Sequence, residues 1–345
     1  MKLGILLSVT IASLGTIAML VMAGWTHPPI ESVQRGYRGL GMVELYDPRA
    51  LEVQAARNTV PEPPWPLEPS EGPTAGEVYE NLEVLGDIPV DHFDRLMAAI
   101  TEWVSPEQSC GYCHNEENLA DDSKYTKIVA RRMLQMNRHI NNDWHDHVGA
   151  VGVTCYTCHR GQPVPAYVSY NDPEADQARG LVGNRAGQNA PSERVGMTSL
   201  PHAPLAQFLT DGQDRIRVIS TTALPDGNRA SIKQTEGTYG LMVQMSDALG
   251  VNCTFCHNSR SFFAWDQSTP QRTSAWHGIR MVNEVNQTYL DPLRPEFPPH
   301  RLGPLGDVPK VECATCHQGA YKPLYGADML KDYPSLGGEA ATAAQ

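Results

Sequence analysis

Residues 152–161 read GVTCYTCHRG, two cysteines three apart, Cys155 and Cys158, with His159 directly behind the second. Such a pattern can clamp a zinc ion, cycle a redox disulfide or attach a haem. It recurs at Cys110, Cys113 and His114, at Cys253, Cys256 and His257, and at Cys313, Cys316 and His317. These eight are all the cysteines of the chain, so none is left for a disulfide or a lipid anchor.

A zinc site would pair two Cys-x-x-Cys knuckles on one ion and needs no histidine after each. A thioredoxin-type motif needs no four copies. With 12 histidines in 345 residues, chance does not put one behind every pair. Cys-x-x-Cys-His is instead the signature of covalent c-type haem attachment. On a helix, positions i, i+3 and i+4 share a face. Two thiols can then reach the vinyl groups of one porphyrin while the imidazole reaches its iron. The sequence therefore predicts four covalently attached haem c groups.

The composition agrees with an exported electron carrier. A net charge of −12 argues against nucleic acid and for a soluble partner with a basic face. The 27 prolines and 29 glycines predict long irregular connections. The first 25 residues, MKLGILLSVTIASLGTIAMLVMAGW, are uncharged from Leu3 through Trp25. A run of about 20 apolar residues spans the hydrocarbon core, whereas a secretory h-region is roughly 7–15. We expect a retained transmembrane helix with Lys2 on the cytoplasmic side. Cleavage after Val21-Met22-Ala23 is the alternative, and either reading exports the rest.

An iron held by histidine on one side takes histidine or methionine on the other, and methionine raises the potential. Helix-like stretches carrying methionine precede the attachment motifs: DHFDRLMAAITEWV with Met97, KIVARRMLQMNRHI with Met133, GTYGLMVQMSDALG with Met242 and SAWHGIRMVNEVNQTYL with Met281. Met136 and Met245, three positions along, are rivals on nearly the same face, and core packing is the plain alternative for any of them. Helix, loop and Cys-x-x-Cys-His thus occur as two pairs, which reads as an internal duplication. The expected fold is mainly α: two duplicated dihaem helical modules, at 76–165 and 233–322, with long irregular connections. Around them we place an anchor at 1–25, an extended arm at 26–75 and a connecting segment at 166–232. A loose tail would follow at 323–345. The arm includes EPPWPLEPSEGP, and the connection includes RIRVIS, a candidate strand.

The stretches RRMLQMNRHINNDWHDHVGAVGVTCYTCHRG, TYGLMVQMSDALGVNCTFCHN, VECATCHQG and QRGYRGLGM resemble the tetrahaem cytochrome subunit of purple-bacterial photosynthetic reaction centres. The resemblance implies ligand pairs His114 with Met97, His159 with Met133, and His257 with Met242. For the fourth haem it implies His317 with His147, the latter from the loop ahead of the second motif, in place of Met281. His139 and His145 are the neighbouring competitors. It also implies a row of haems at the periplasmic face of the bacterial inner, photosynthetic membrane, with haem three nearest that membrane. Electrons would come from a soluble cytochrome c or high-potential iron–sulfur protein. They would leave to the bacteriochlorophyll pair of the membrane subunits, with the light-harvesting antenna a further candidate neighbour. No catalytic residue is expected.

NEENLADD, residues 115–122, holds four carboxylates that could steer a basic donor to haem one or simply be solvated. Arg131, Arg132 and Arg280 could neutralise haem propionates or lie on the surface. The rival functions are a membrane-anchored tetrahaem quinol dehydrogenase and a stand-alone periplasmic electron-storage cytochrome. The methionine helices and the duplication argue against the first.

Overall fold

The computed structural model describes residues 2–24, 30–34, 43–171, 200, 205–210, 216, 218 and 232–337. Helix α1 (Lys2–Gly24) comes first, then a small antiparallel hairpin of β1 (Glu31–Gln34) and β2 (Val43–Tyr46), with Glu31 opposite Tyr46. Next come α2 (Pro48–Arg57), α3 (Ala75–Val78), α4 (Val90–Val104), α5 (Tyr125–Asp143), α6 (His145–Val148) and α7 (Cys155–His159). The second half holds α8 (Ile232–Leu249), α9 (Gln271–Val285) and α10 (Cys313–His317). The chain is mainly helical, as the sequence predicts.

Among the described residues, no helix is long and apolar enough to cross a membrane.

Apolar side chains at Phe93, Leu96, Met97, Ile100, Trp103 and Val104 follow the spacing of one helix face, so α4 forms by burying that face. It ends at Ser105 because Pro106 disfavours helical geometry in the residue before it. Leu96, Ala99 and Trp103 pack with Leu85 and Ile88 in a first cluster. Leu324, Met329, Tyr333 and Leu336 complete that cluster. The segment expected as a loose tail from 323 is therefore packed as far as Leu336, because its apolar residues close the core beneath α4. Residues 338–345 lie outside the described residues.

Arg95, only 3% exposed, holds three segments together. Its Nε donates to the Trp65 carbonyl at 2.7 Å, its Nη1 donates to the Asp332 carbonyl at 2.5 Å, and its guanidinium lies 4.4 Å over the Tyr333 ring. The arm at 26–75 is thus pinned rather than merely extended. It also contains the hairpin and α2, whose first turn is capped by Asp47 Oδ1 accepting from Arg49 N at 3.0 Å. A second cluster joins Ile140 of α5 to Leu241 of α8 and to Ile279, Met281, Val282 and Val285 of α9, with Leu205, Phe208 and Leu209 beside them. Of RIRVIS only Ile216 and Val218 are described, so the candidate strand lies outside the described residues.

Candidate haem-attachment sites

Two local forms carry the four motifs, and they alternate along the chain. The first and third are tight turns at Ser109–Tyr112 and Cys253–Phe255, each closed by a histidine N–H donating to the first cysteine's carbonyl. His114 N reaches Cys110 O, and His257 N reaches Cys253 O, both at 2.9 Å. The second and fourth are the short helices α7 and α10. In each, a threonine three residues inside accepts the first N–H: Thr154 N donates to Thr157 Oγ1 at 3.0 Å, and Glu312 N donates to Thr315 Oγ1 at 2.9 Å. Both helices end on left-handed residues, Arg160 (φ 49°) and Gln318 (φ 47°), followed by Gly161 (φ 81°) and Gly319 (φ 86°). Those glycines supply the positive φ that a second consecutive left-handed residue requires.

All four motif histidines are oriented alike. Each faces a backbone carbonyl with Nδ1: His114 with Leu119 (3.1 Å), His159 with Gln162 (2.9 Å), His257 with Phe262 (2.9 Å) and His317 with Ala320 (3.0 Å). A carbonyl can only accept, so Nδ1 carries the hydrogen and Nε2 keeps a free lone pair. This is how ligating histidines are normally held. His147 shows the same arrangement, donating Nδ1–H to the Ser274 carbonyl of α9 at 2.9 Å. Burial holds His147, His159 and His257 below the ordinary imidazole value and pushes His317 down to about 4. Low proton affinity keeps these rings neutral, the form that binds metal. Burial also lifts the thiols, Cys113 to about 11 and Cys155 and Cys313 to about 12.

The geometry brings His147 and His317 together, with ring centroids 6.1 Å apart and planes at 66°. Two imidazoles ligating one ion from opposite sides, with bonds of roughly 2 Å, place their centroids about 6 Å apart. The competitors are otherwise engaged. His139 faces Asp143 with Nδ1 (2.7 Å) and Glu284 with Nε2 (3.0 Å), so neither nitrogen is available. His145 is exposed.

The same hydrogen bonds recur around the two halves. Gly161 N donates to Trp103 O of α4 at 2.7 Å, and Gly319 N donates to Ala248 O of α8 at 2.8 Å. Thr126 Oγ1 donates to Tyr112 O at 2.6 Å, and Thr269 Oγ1 donates to Phe255 O at 2.5 Å. Asn141 clamps Val153 by Nδ2 to its carbonyl (2.9 Å) and Oδ1 from its N–H (2.7 Å), and Asn286 clamps Val311 likewise (2.9 and 2.8 Å). Arg160 donates to Cys316 O at 3.2 Å, and Gln318 donates back to Cys158 O at 3.5 Å. Sequence reasoning missed this bracing. The paired offsets of Thr126 and Thr269 from their motifs were its one readable signal.

Met97, Met133 and Met242 are half-buried on the helices α4, α5 and α8. Met97 lies one turn before Thr101, whose Oγ1 donates to the Met97 carbonyl at 2.9 Å and stands 4.0 Å from Cys110 Sγ. Met133 shares a face of α5 with Asn137 and Asn141, both of which bond the Val153 carbonyl just ahead of Cys155. Met97 and Met242 each lie six residues before the carbonyl, Trp103 or Ala248, that takes the glycine N–H. Met281, expected from repetition alone, is 7% exposed and belongs to the second cluster. The chemistry of this donor set, five imidazoles presenting Nε2 beside paired thiols, fits haem c.

Two sequence expectations look different in place. Of the four acids in 115–122, Asp122 accepts from Arg131 at 2.9 Å and pairs with Lys127 at 3.0 Å, while Asp121 accepts from Asn115 and Ser123. Only Glu116 and Glu117 are exposed. The three arginines also have protein partners. Arg131 binds Asp122 and Glu83, Arg132 donates to Thr288 O and lies 4.7 Å over Tyr289, and Arg280 lies 4.3 Å over Trp276.

The chain is similar to known cytochromes. The family model of the photosynthetic reaction centre cytochrome C subunit matches residues 26–337. The photosynthetic reaction center cytochrome c subunit of Rubrivivax gelatinosus is 52% identical over 328 residues, covering 95% of this chain and 89% of that one. Its namesake from Thermochromatium tepidum is 49% identical over 329 residues, covering 95% and 80%. Cytochrome c-554 of Chloroflexus aurantiacus is 27% identical over 266 residues, covering 62% and 63%.

Proposed function

The chain belongs to the photosynthetic reaction centre cytochrome c subunit family, and from that premise we propose how it serves the reaction centre. It takes single electrons from a soluble periplasmic donor and hands them to the photo-oxidised bacteriochlorophyll pair of the membrane subunits. Four haem c groups, when bound, supply the one-electron redox chemistry. The protein fixes their spacing and tunes each iron through its ligands.

The eight cysteines at 110 and 113, 155 and 158, 253 and 256, and 313 and 316 would hold the porphyrins. His114, His159, His257 and His317 would present Nε2 from one side. Met97, Met133 and Met242 would supply thioether sulfur to the first three from the other, and His147 would face His317. Methionine raises a haem's potential relative to a second histidine, so three high potentials and one low one follow. The observation that carries this reading is the common posture of five histidines, each with Nδ1–H on a backbone carbonyl and Nε2 free.

We infer further that the chain is a duplicated dihaem module, supported by the recurring bonds of Gly161 and Gly319, Thr126 and Thr269, and Asn141 and Asn286. The uncharged run Leu3–Trp25 supports a membrane anchor at the N-terminus. A pyridine haemochrome assay should return four equivalents per chain, and purification from the native membrane should carry bacteriochlorophyll with it. Fewer than four haems would end the four-haem reading, and quinol oxidation by the isolated chain would favour the dehydrogenase instead.

A further inference from the structure

His147 belongs to α6 in the first half of the chain, yet its ring lies against α9 of the second. A Cβ added to Gly278 would stand 2.5 Å from its Cε1, 2.8 Å from its Nδ1 and 2.9 Å from its Nε2. Real side chains essentially never come closer than 3.0 Å, and the three nearest atoms all belong to that one ring. The ring therefore fills the space a side chain at 278 would claim. A glycine in the middle of a helix weakens it, so its presence here has a packing reason.

The register of the two halves gives that position a meaning. Asn141 and Asn286 make the same two-bond clamp on Val153 and Val311, each two residues ahead of its attachment helix. Eight residues before Asn141 stands Met133, and eight before Asn286 stands Gly278. Met281 corresponds instead to Met136, and both pack against the second apolar cluster. The helical repeat thus carries a methionine at one copy of this position and no side chain at the other. One turn earlier, the Ser274 carbonyl accepts Nδ1–H of His147 at 2.9 Å, which leaves Nε2 as the nitrogen with a free lone pair.

We propose that Gly278 is the sixth-ligand position of the second half, stripped to its Cα so that His147 can enter it from the first half and face His317. Gly278 is a positioning residue: it touches His147, not the iron. The proposal rests on the reading that His147 and His317 share one iron. It explains how one haem becomes bis-histidine while its counterpart keeps a thioether, a change of one residue in α9 coupled to one in α6.

The test uses the haem-loaded chain in its native complex, with Gly278→Ala, Gly278→Met, His147→Ala and the double variant Gly278→Met with His147→Ala. Electron paramagnetic resonance reads the bis-histidine signature, and a redox titration reads the four potentials. Both Gly278 variants and His147→Ala should lose the bis-histidine signature while the three other potentials stay. The double variant should gain a fourth His/Met spectrum and an upward shift of the lowest potential. Loss of the signature in His147→Ala but its retention in both Gly278 variants would overturn the role of Gly278 and leave the ligand pair standing. Retention in His147→Ala would overturn the pair itself. Thermal melting separates a general packing defect from the proposed one. Gly278→Ala should lower Tm in the native background and raise it beside His147→Ala, where the ring is gone. An equal drop in both would refute the proposal.

Discussion

Asn286 grips Val311 with both ends of its amide, Nδ2 donating to the carbonyl at 2.9 Å and Oδ1 accepting the N–H at 2.8 Å. The side chain is fully buried and donates a further bond to Leu209 O at 2.8 Å. Alanine at this position would strand three backbone groups, the buried Leu209 carbonyl and the half-buried N–H and carbonyl of Val311. Each such group costs about 1–3 kcal/mol, so Asn286→Ala should lose on the order of 3 kcal/mol of stability. Asn141→Ala, at a half-buried site, should lose less. Urea unfolding of both variants ranks them, and equal losses would show that burial is not what makes the clamp matter.

The methionine assignments make a paired prediction. Met97 and Met242 occupy matching places six residues ahead of Trp103 and Ala248, whereas the place of Met245 is taken in the first half by Ile100, whose side chain has no donor atom. Met242→Leu should therefore lower one potential, since a thioether ligand raises it. Met245→Leu, which exchanges packing of similar volume, should leave all four potentials unchanged and cost under about 1.5 kcal/mol in stability. A redox titration in which Met245→Leu shifts a potential, and Met242→Leu does not, would exchange their roles.

How much of this could be read beforehand divides along physical lines. The attachment motifs were legible because the chemistry demands fixed local spacing, and α4 was legible because its apolar period is strong. Repetition also gave the methionine helices. What it could not give was the register between α5 and α9. In the sequence Met281 reads as the counterpart of Met133, and only the clamp by Asn141 and Asn286 shows that Met133 pairs with Gly278. The packing of Leu324, Met329, Tyr333 and Leu336 beneath α4 was missed because sparse apolar residues among short turns have no period to detect. Arg95 was invisible for a similar reason: its partners are carbonyls of Trp65 and Asp332, which no side-chain pattern encodes.

His139 tests the rule that separates the proposed ligands from their neighbours. It lies between Asp143 and Glu284, and its ring is 5.4 Å from that of Tyr289. With both nitrogens on carboxylates, it ties α5 to α9 and cannot reach an iron. His139→Gln should leave the visible and magnetic-resonance spectra of all four haems intact while lowering Tm. A changed haem spectrum would return His139 to the list of ligands.

Asp122 sets a pH dependence of stability. The Arg131 guanidinium, with Asn81 and Lys127, holds its carboxyl well below the usual carboxylate range. A carboxylate with a depressed folded pKa contributes its full stability above the unfolded value of about 4 and loses it as pH falls towards the folded value. Its side chain is 38% exposed, so solvent screening limits the contribution to about 1 kcal/mol. Asp122→Asn should be less stable than the native chain at pH 7, and the gap should close as the pH drops below about 4. Unfolding midpoints at several pH values measure this directly, and a gap independent of pH would remove Asp122 from the account.

The remaining acids separate steering from structure. Glu116 and Glu117 follow His114 on the exposed side of its loop, while Asp121 and Asp122 turn inward to Asn115, Ser123, Lys127 and Arg131. Only charges open to solvent project a field that a basic donor can follow, and that field is screened beyond roughly 10 Å at 0.1 M salt. Glu116→Gln with Glu117→Gln should therefore slow second-order reduction by a basic cytochrome several-fold at low salt, and the difference should fade as salt rises. The internal chemistry, read as four unchanged potentials, should not move. Flash-induced kinetics of haem re-reduction provide the rate. A rate indifferent to both the substitutions and the salt would place the donor's approach on another face, away from His114.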